Sequence, residues 1–236
     1  FKGELHKTII SAINFEVGEI TKKIKIRRNQ IVEIVIVGNS TMRDIFFNLD
    51  VESIGVKPYK SQTEFDFISK KVNSTELKVY ASDLELRINP DAIIYSPPLI
   101  ASHIGSDISA GLIAVDFFSS NQNKIFIDIG TNTEVVLGNG DNFTAASCPA
   151  GPAFEGGEIT YGMPGYDGAV ENVKWDHNKY VYKTIGDSSP LGICGSGLID
   201  FLSEMKDNNF MNSLGKFNSD LEYVKLDKNH EVMLYR

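Results

Sequence analysis

Cysteine is scarce in this sequence. Two residues, Cys148 and Cys194, in a chain of 236 cannot build a disulfide framework. Neither belongs to a C-x-x-C pair, which argues against a zinc or iron–sulfur site within the chain. The four histidines are scattered and form no H-E-x-x-H metalloprotease pattern. Positive charge is also thin: 23 Lys and Arg face 31 Asp and Glu, for a net charge of -8. The densest basic stretch, residues 22–28, is too short to track a phosphate backbone, so nucleic acid is excluded as a partner. No apolar run approaches a membrane span, because residues 111–118 are broken by Asp116. No signal peptide is recognisable, so a cytoplasmic location is expected. What remains is a chain with 42% hydrophobic and 23% charged residues, enough to bury a core.

The centre of the chain is Ile125-Phe126-Ile127-Asp128-Ile129-Gly130-Thr131-Asn132-Thr133-Glu134-Val135-Val136-Leu137-Gly138. It reads as strand, polar turn, strand, with residues 125–127 and 135–137 buried or half-buried. Two readings are open here. A turn of Gly, Thr and Asn can aim backbone N–H groups at a phosphate, with Asp128 holding hydrated Mg²⁺. The alternative is an ordinary hairpin.

Upstream, Leu5, Ile9, Ile10, Ile13, Val17, Ile20 and Ile24 predict an amphipathic helix over residues 4–24, with Gly18 the place where it could break. Residues 31–37 are nearly all β-branched, as in a strand covered on both faces. Residues 38–41 then turn into a helix over 42–49, capped by Asn39, Ser40 or Thr41. This is the layout of an α/β sheet with its loop chemistry at the strand's C-terminal edge. Residues 50–81 read as irregular with short strands such as 77–80. Leu84, Leu86 and Ile88 alternate as in a strand, and residues 92–95 suit another. A helix with a small-residue face is expected over 107–118.

Downstream, a strand near 143–146 leads into Cys148-Pro149-Ala150-Gly151-Pro152-Ala153-Phe154-Glu155-Gly156-Gly157, too rich in Gly and Pro for a regular element. Residues 159–184 read as strands and turns, with Trp175 a packing residue. A last helix is expected from Ser196 or Gly197 to about Lys206, with Leu198, Ile199, Leu202 and Met205 on its apolar face. Gly195 and Gly197 leave room for a flat or anionic group at its N-terminus. Asp200 stands where a dinucleotide fingerprint has its third glycine, and no P-loop occurs, so neither classical nucleotide fold fits. Residues 221–226 and 231–235 suit two more strands. The chain starts at Phe1 and stops inside an apolar alternation, which reads as a piece of a longer protein.

Five motifs occur in order: Val37-Gly38-Asn39-Ser40-Thr41-Met42, Gly105-Ser106-Asp107-Ile108-Ser109-Ala110-Gly111, Ile127-Asp128-Ile129-Gly130-Thr131-Asn132-Thr133-Glu134, Ala150-Gly151-Pro152-Ala153-Phe154-Glu155-Gly156, and Gly192-Ile193-Cys194-Gly195-Ser196-Gly197-Leu198-Ile199-Asp200. Over about residues 30–205 the series resembles the reductive activators of corrinoid proteins, members of the actin, sugar kinase and chaperone ATPase superfamily. The resemblance implies an α/β, ribonuclease H-like ATPase fold: mixed sheets flanked by helices, part of a two-lobed domain. Residues 1–118 would hold the remainder of the first lobe and the interdomain helix, and residues 119–236 the second lobe.

The function so implied is ATP-dependent reduction of cob(II)alamin in a methyl-transferring corrinoid protein. The partner would be that corrinoid protein, and a homodimer is left open. ATP and Mg²⁺ are the expected cofactors here. The [2Fe–2S] cluster would lie in an N-terminal ferredoxin domain outside this chain, as would the first phosphate loop, so the isolated piece should be inactive. Position by position, Gly130, Thr131 and Asn132 resemble the second phosphate loop and Asp128 its Mg²⁺-associated carboxylate. Asp107 falls where the superfamily places an acid near the attacking water. Gly195, Ser196 and Gly197 resemble the adenosine loop, with Gly156 and Gly157 near the ribose. Cys148 and Cys194 are expected as small buried residues. Two rival functions share this fold: a non-hydrolysing protein-binding module and a small-molecule kinase.

Overall fold

A computed structural model describes residues 3–177 and 179–216. The strands expected at 221–226 and 231–235 lie outside the described residues. Two compact units emerge. One takes the described residues up to Asp128 together with Glu134–Cys148; the other takes Ile129–Thr133 and the described residues from Pro149 onward.

In the first unit, α1 (Glu4–Ile24) runs unbroken through Gly18. The Arg28 guanidinium lies against Gly18, in the space a Cβ would take. Ile10 is buried, with Ile9, Ile13 and Val17 packed beside it. These side chains cover a three-stranded sheet of β1 (Glu33–Val35), β2 (Leu77–Tyr80) and β3 (Ile93–Ser96), ordered β1-β3-β2. β1 runs parallel to β3, and β2 antiparallel to it. The β-branched run at 31–37 departs from expectation. Only three of its residues form regular strand, and Val32, Val35 and Val37 are exposed, so in this unit a single face is covered. β-Branching sets strand preference but does not say how many layers will cover the strand.

α2 (Ser40–Phe46) is capped by Asn39, whose side chain accepts from the Met42 N–H at 2.9 Å. Residues 50–81 are more helical than expected, with α3 (Glu52–Gly55) and α4 (Gln62–Ile68). α4 opens with a reciprocal capping box between Ser61 and Glu64. The alternating Leu84, Leu86 and Ile88 are core residues, but Leu84 closes a 3₁₀ turn (Ala81–Leu84) and no strand forms.

α5 (Ser106–Ala114) stops before the expected 118, where Asp116 takes a left-handed conformation and a 3₁₀ turn follows. Its small-residue face does let another element come close: a Cβ on Gly111 would lie 2.8 Å from the Phe126 ring. That ring belongs to β4 (Lys124–Ile129), which with β5 (Asn132–Gly138) and β6 (Phe143–Pro149) forms a second sheet, ordered β4-β5-β6. Val136 and α5 residues Ile108 and Leu112 share one core, while Ile125, Ile127 and Leu137 are exposed.

In the second unit, β7 (Ala169–Asp176) pairs antiparallel with β8 (Lys179–Thr184) and parallel with the short β9 (Gly192–Ile193). Regular strand begins at Ala169; before it, residues 159–168 hold only an isolated bridge from Gly162 to Ile193. β9 leads into α6 (Gly195–Asp207), which lies on β7. Its packed face departs from expectation. Gly197 and Met205 are buried and Phe201 joins the sheet core, whereas Ile199 and Leu202 are exposed. Two carboxylates explain the rotation. Asp200 accepts from Asn172 Nδ2 at 2.5 Å and from the Val173 N–H at 3.4 Å, and Glu204 accepts from the Trp175 N–H at 3.0 Å. The helix thereby satisfies strand-edge donors that β9 is too short to reach. Trp175 packs between Tyr180 and Phe210, as expected of a packing residue.

Candidate functional site

The expected site residues divide between the two units. In the first, the turn at 38–39 and the start of α5 clasp each other. Ser106 Oγ lies 3.2 Å from both Gly38 N and Gly38 O, and the Ser106 N–H donates to Gly38 O at 3.0 Å. Gly105 is required for this approach, since a Cβ would strike Gly38 O and come within 2.5 Å of Asn39 Cα. The clasp fixes Asp107 in the first turn of α5, half-buried, its Oδ1 accepting from the Ile108 N–H at 2.9 Å.

Burial raises the Asp107 pKa above the ordinary carboxylate range. The Ile108 N–H opposes this, and the negative charge of Asp128 raises it further. Asp107 and the exposed Asp128 are thus within electrostatic reach of each other. Among the described residues no group of three His, Cys, Asp or Glu could hold a metal. Asp107 and Asp128 are carboxylates, the ligand type that Mg²⁺ takes alongside water.

In the second unit, the turn at 130–132 is tightly held. The Gly130 N–H donates to Asn132 O at 3.1 Å, and Thr131 O accepts from both Ala150 N–H and Gly151 N–H at 2.9 Å. Thr131 Oγ1 donates to Glu155 Oε1 at 2.9 Å. Glu155 sits in a compact turn closed by the Gly156 and Gly157 N–H groups, which donate to Ala153 O at 3.1 Å and Pro152 O at 2.7 Å. One residue earlier, the Phe154 carbonyl lies over Gly195, where a Cβ would come within 2.6 Å of it. Residues 152–157 therefore touch the 130–132 turn on one side and the entrance to α6 on the other.

The glycines here have packing reasons. Gly156 stacks backbone to backbone on Gly162 and Met163, and Gly157 on Pro152. Gly197 lies against the Val170 carbonyl. The space that its missing side chain leaves is filled by β7. What α6 offers outward is Ser196, exposed, and the free N–H groups of its first turn. Cys194 is buried, with Sγ 3.3 Å from Val170 O, but Cys148 is exposed, against expectation. It lies one residue before the end of β6, where burial alternates, and the alternation turns it outward.

Comparison with known proteins agrees with this architecture. Residues 2–120 match the model of the RACo middle region, and residues 122–236 match that of the C-terminal domain of RACo, the ASKHA domain. The chain belongs to the RACo family. Its fold is accordingly that of the ASKHA class, mixed α/β with three sheets and flanking helices among the described residues.

A solved structure described as a reductive activator for corrinoid, iron–sulfur protein superposes with a TM-score of 0.77 at 35% identity, covering 90% of this chain and 33% of that one. A corrinoid activation enzyme of Eubacterium limosum, RamQ, is 31% identical over 214 residues, 91% of this chain and 34% of the relative. The [Co(II) methylated amine-specific corrinoid protein] reductase of Methanosarcina barkeri is 28% identical over 172 residues, 72% of this chain and 30% of the relative. This RACo-family chain spans about a third of the length of the relatives it matches. No helix among the described residues is long and apolar enough to cross a membrane.

Proposed function

We propose that this chain supplies part of the ATP site of a protein that reductively reactivates cob(II)alamin in a corrinoid methyl-transfer protein. The observation that carries the reading is the shared footing of two loops. The 130–132 turn and the entrance to α6 both rest on residues 152–157. Gly130, Thr131 and Asn132 form the phosphate turn, in which the Gly130 N–H is held by Asn132 O and the Thr131 and Asn132 N–H groups are the donors to phosphate. Gly195, Ser196 and Gly197 form the adenosine side, where the free N–H groups of α6 favour an anionic or polar ligand edge. Gly156 and Gly157 present backbone to the ribose.

Asp128 would hold Mg²⁺, and Asp107 would orient the attacking water. When bound, Mg²⁺ neutralises phosphate charge; the protein's own share is positioning. Residues 1–118 belong to the first lobe with its interdomain helix, and residues 119–236 to the second. ATP hydrolysis drives lobe motion that changes contact with the corrinoid protein. Electrons come from a [2Fe–2S] domain outside residues 1–236, and the assembly works in the cytoplasm.

The test is calorimetric titration of the full-length protein with ATP and Mg²⁺. Binding that Asp128→Ala weakens supports the reading. No ATP binding, or binding that Asp128→Ala leaves unchanged, favours a non-hydrolysing module that docks on the corrinoid protein.

A further inference from the structure

We propose that Glu155 is the positioning residue that makes phosphate binding at the 130–132 turn depend on a divalent cation. The inference rests on the phosphate-turn reading above. Its basis is a contradiction in the local chemistry. Thr131 carries the one side-chain hydroxyl between Gly130 and Asn132, and that hydroxyl donates to a carboxylate, Glu155 Oε1, at 2.9 Å. The same oxygen would lie 3.9 Å from a Cβ built on Gly130. A negative charge thus stands against the loop that should receive a polyanion.

The backbone beneath this exposed carboxylate is fixed. The Glu155 N–H donates to Pro152 O at 3.2 Å, the next two N–H groups close the same turn, and Gly156 has φ +86 and is wedged against Gly162 and Met163. The Thr131 backbone is equally fixed through its carbonyl, which accepts from the Ala150 and Gly151 N–H groups.

Two consequences follow. A bare polyphosphate meets repulsion from Glu155 and finds the Thr131 hydroxyl already committed as a donor. A cation on the phosphate oxygens cancels that repulsion and lets the carboxylate face a net positive group. Glu155 therefore discriminates cation-loaded from bare polyphosphate, while its acceptor oxygen keeps Thr131 in one rotamer.

Glu155→Gln separates these roles, since the amide oxygen still accepts from Thr131 but the charge is gone. The experiment measures ATP affinity of the full-length protein by calorimetry, with excess Mg²⁺ and with a chelator. For Glu155→Gln, affinity for Mg²⁺-free ATP should rise roughly three- to tenfold while affinity with Mg²⁺ changes less than about twofold, so the Mg²⁺ dependence shrinks. Thr131→Val keeps the charge and loses the hydroxyl. It should weaken both affinities and leave the Mg²⁺ dependence at least as large as in wild type. Equal Mg²⁺ dependence in wild type and a folded Glu155→Gln overturns the assignment to Glu155 and leaves the ATP site standing. Absence of ATP binding in the wild-type protein overturns the phosphate-turn reading itself, and this inference with it.

Discussion

Gly197→Ala should damage this protein more than any ligand-based argument would suggest. The new Cβ would collide with the Val170 carbonyl oxygen and come within 2.9 Å of its carbon and 3.0 Å of Ile193 Cγ1. Both neighbours belong to strands β7 and β9, so neither can step aside like a flexible side-chain tip. The helix must move instead, and the Cys194 N–H, which donates to Val170 O at 3.2 Å, loses its partner. Forced overpacking of this kind costs about 1–3 kcal/mol. The lost hydrogen bond adds about 1 kcal/mol. Alanine returns about 1 kcal/mol through helix propensity.

The net is a loss of about 1–3 kcal/mol, which for a domain of this size lowers the melting temperature by roughly 2–12 °C. Thermal and urea unfolding of the two proteins reads it directly. Gly55→Ala is the control, because nothing lies within 4 Å of that position and its backbone is not left-handed; it should be neutral or slightly stabilising. A Gly197→Ala protein that melts within about 2 °C of wild type would refute the packing account of this glycine.

Three further outcomes are expected. Tyr180 is buried with a hydroxyl that has no hydrogen-bond partner, its pKa pushed up from 10.0 to about 12 by burial and then by Glu204. Tyr180→Phe should gain about 1 kcal/mol. Between those two values the unfolded chain gives up a proton that the fold retains, so wild-type stability falls as pH rises through the window, and the variant should lack that loss in alkaline melts. The Arg43 and Asp44 side chains are fully buried as a pair at 2.8 Å, and Arg43 Nη1 also donates to Thr75 O at 2.8 Å. Arg43→Met strands Asp44 and should cost about 3–5 kcal/mol in urea unfolding; a loss below about 1 kcal/mol would show that water or another donor reaches Asp44. Asp107 has a raised pKa, so above 3.8 the unfolded state releases its proton more readily than the fold, and rising pH erodes stability. Asp107→Asn should therefore gain stability relative to wild type as pH rises above 3.8. A difference that does not change with pH would sink that reading.

Periodicity in the sequence was enough to define α1, because a stripe of Ile and Val at three- and four-residue spacing must find a core whatever covers it. The turn at 130–132 was equally legible from its residues, and the family followed from the order of the five motifs. α4 was missed, although Ser61 and Glu64 stand in the capping-box spacing, because the mixed composition around them hid that signal. Other features depend on contacts between segments distant in sequence. The rotation of α6 was one, because Asp200 and Glu204 face inward only where β7 has strand-edge N–H groups left unpaired. The exposure of the 31–37 run was another, since coverage depends on which elements pack there.

The pairing of Thr131 with Glu155, 24 residues apart, carries no local signature at all. Local residue choice fixed where the chain turns and which segments are helical, because those preferences are settled within a few residues. Only the tertiary structure decided which carboxylate meets which hydroxyl, and why Gly105 and Gly197 must be glycine, because those contacts join residues the sequence keeps apart.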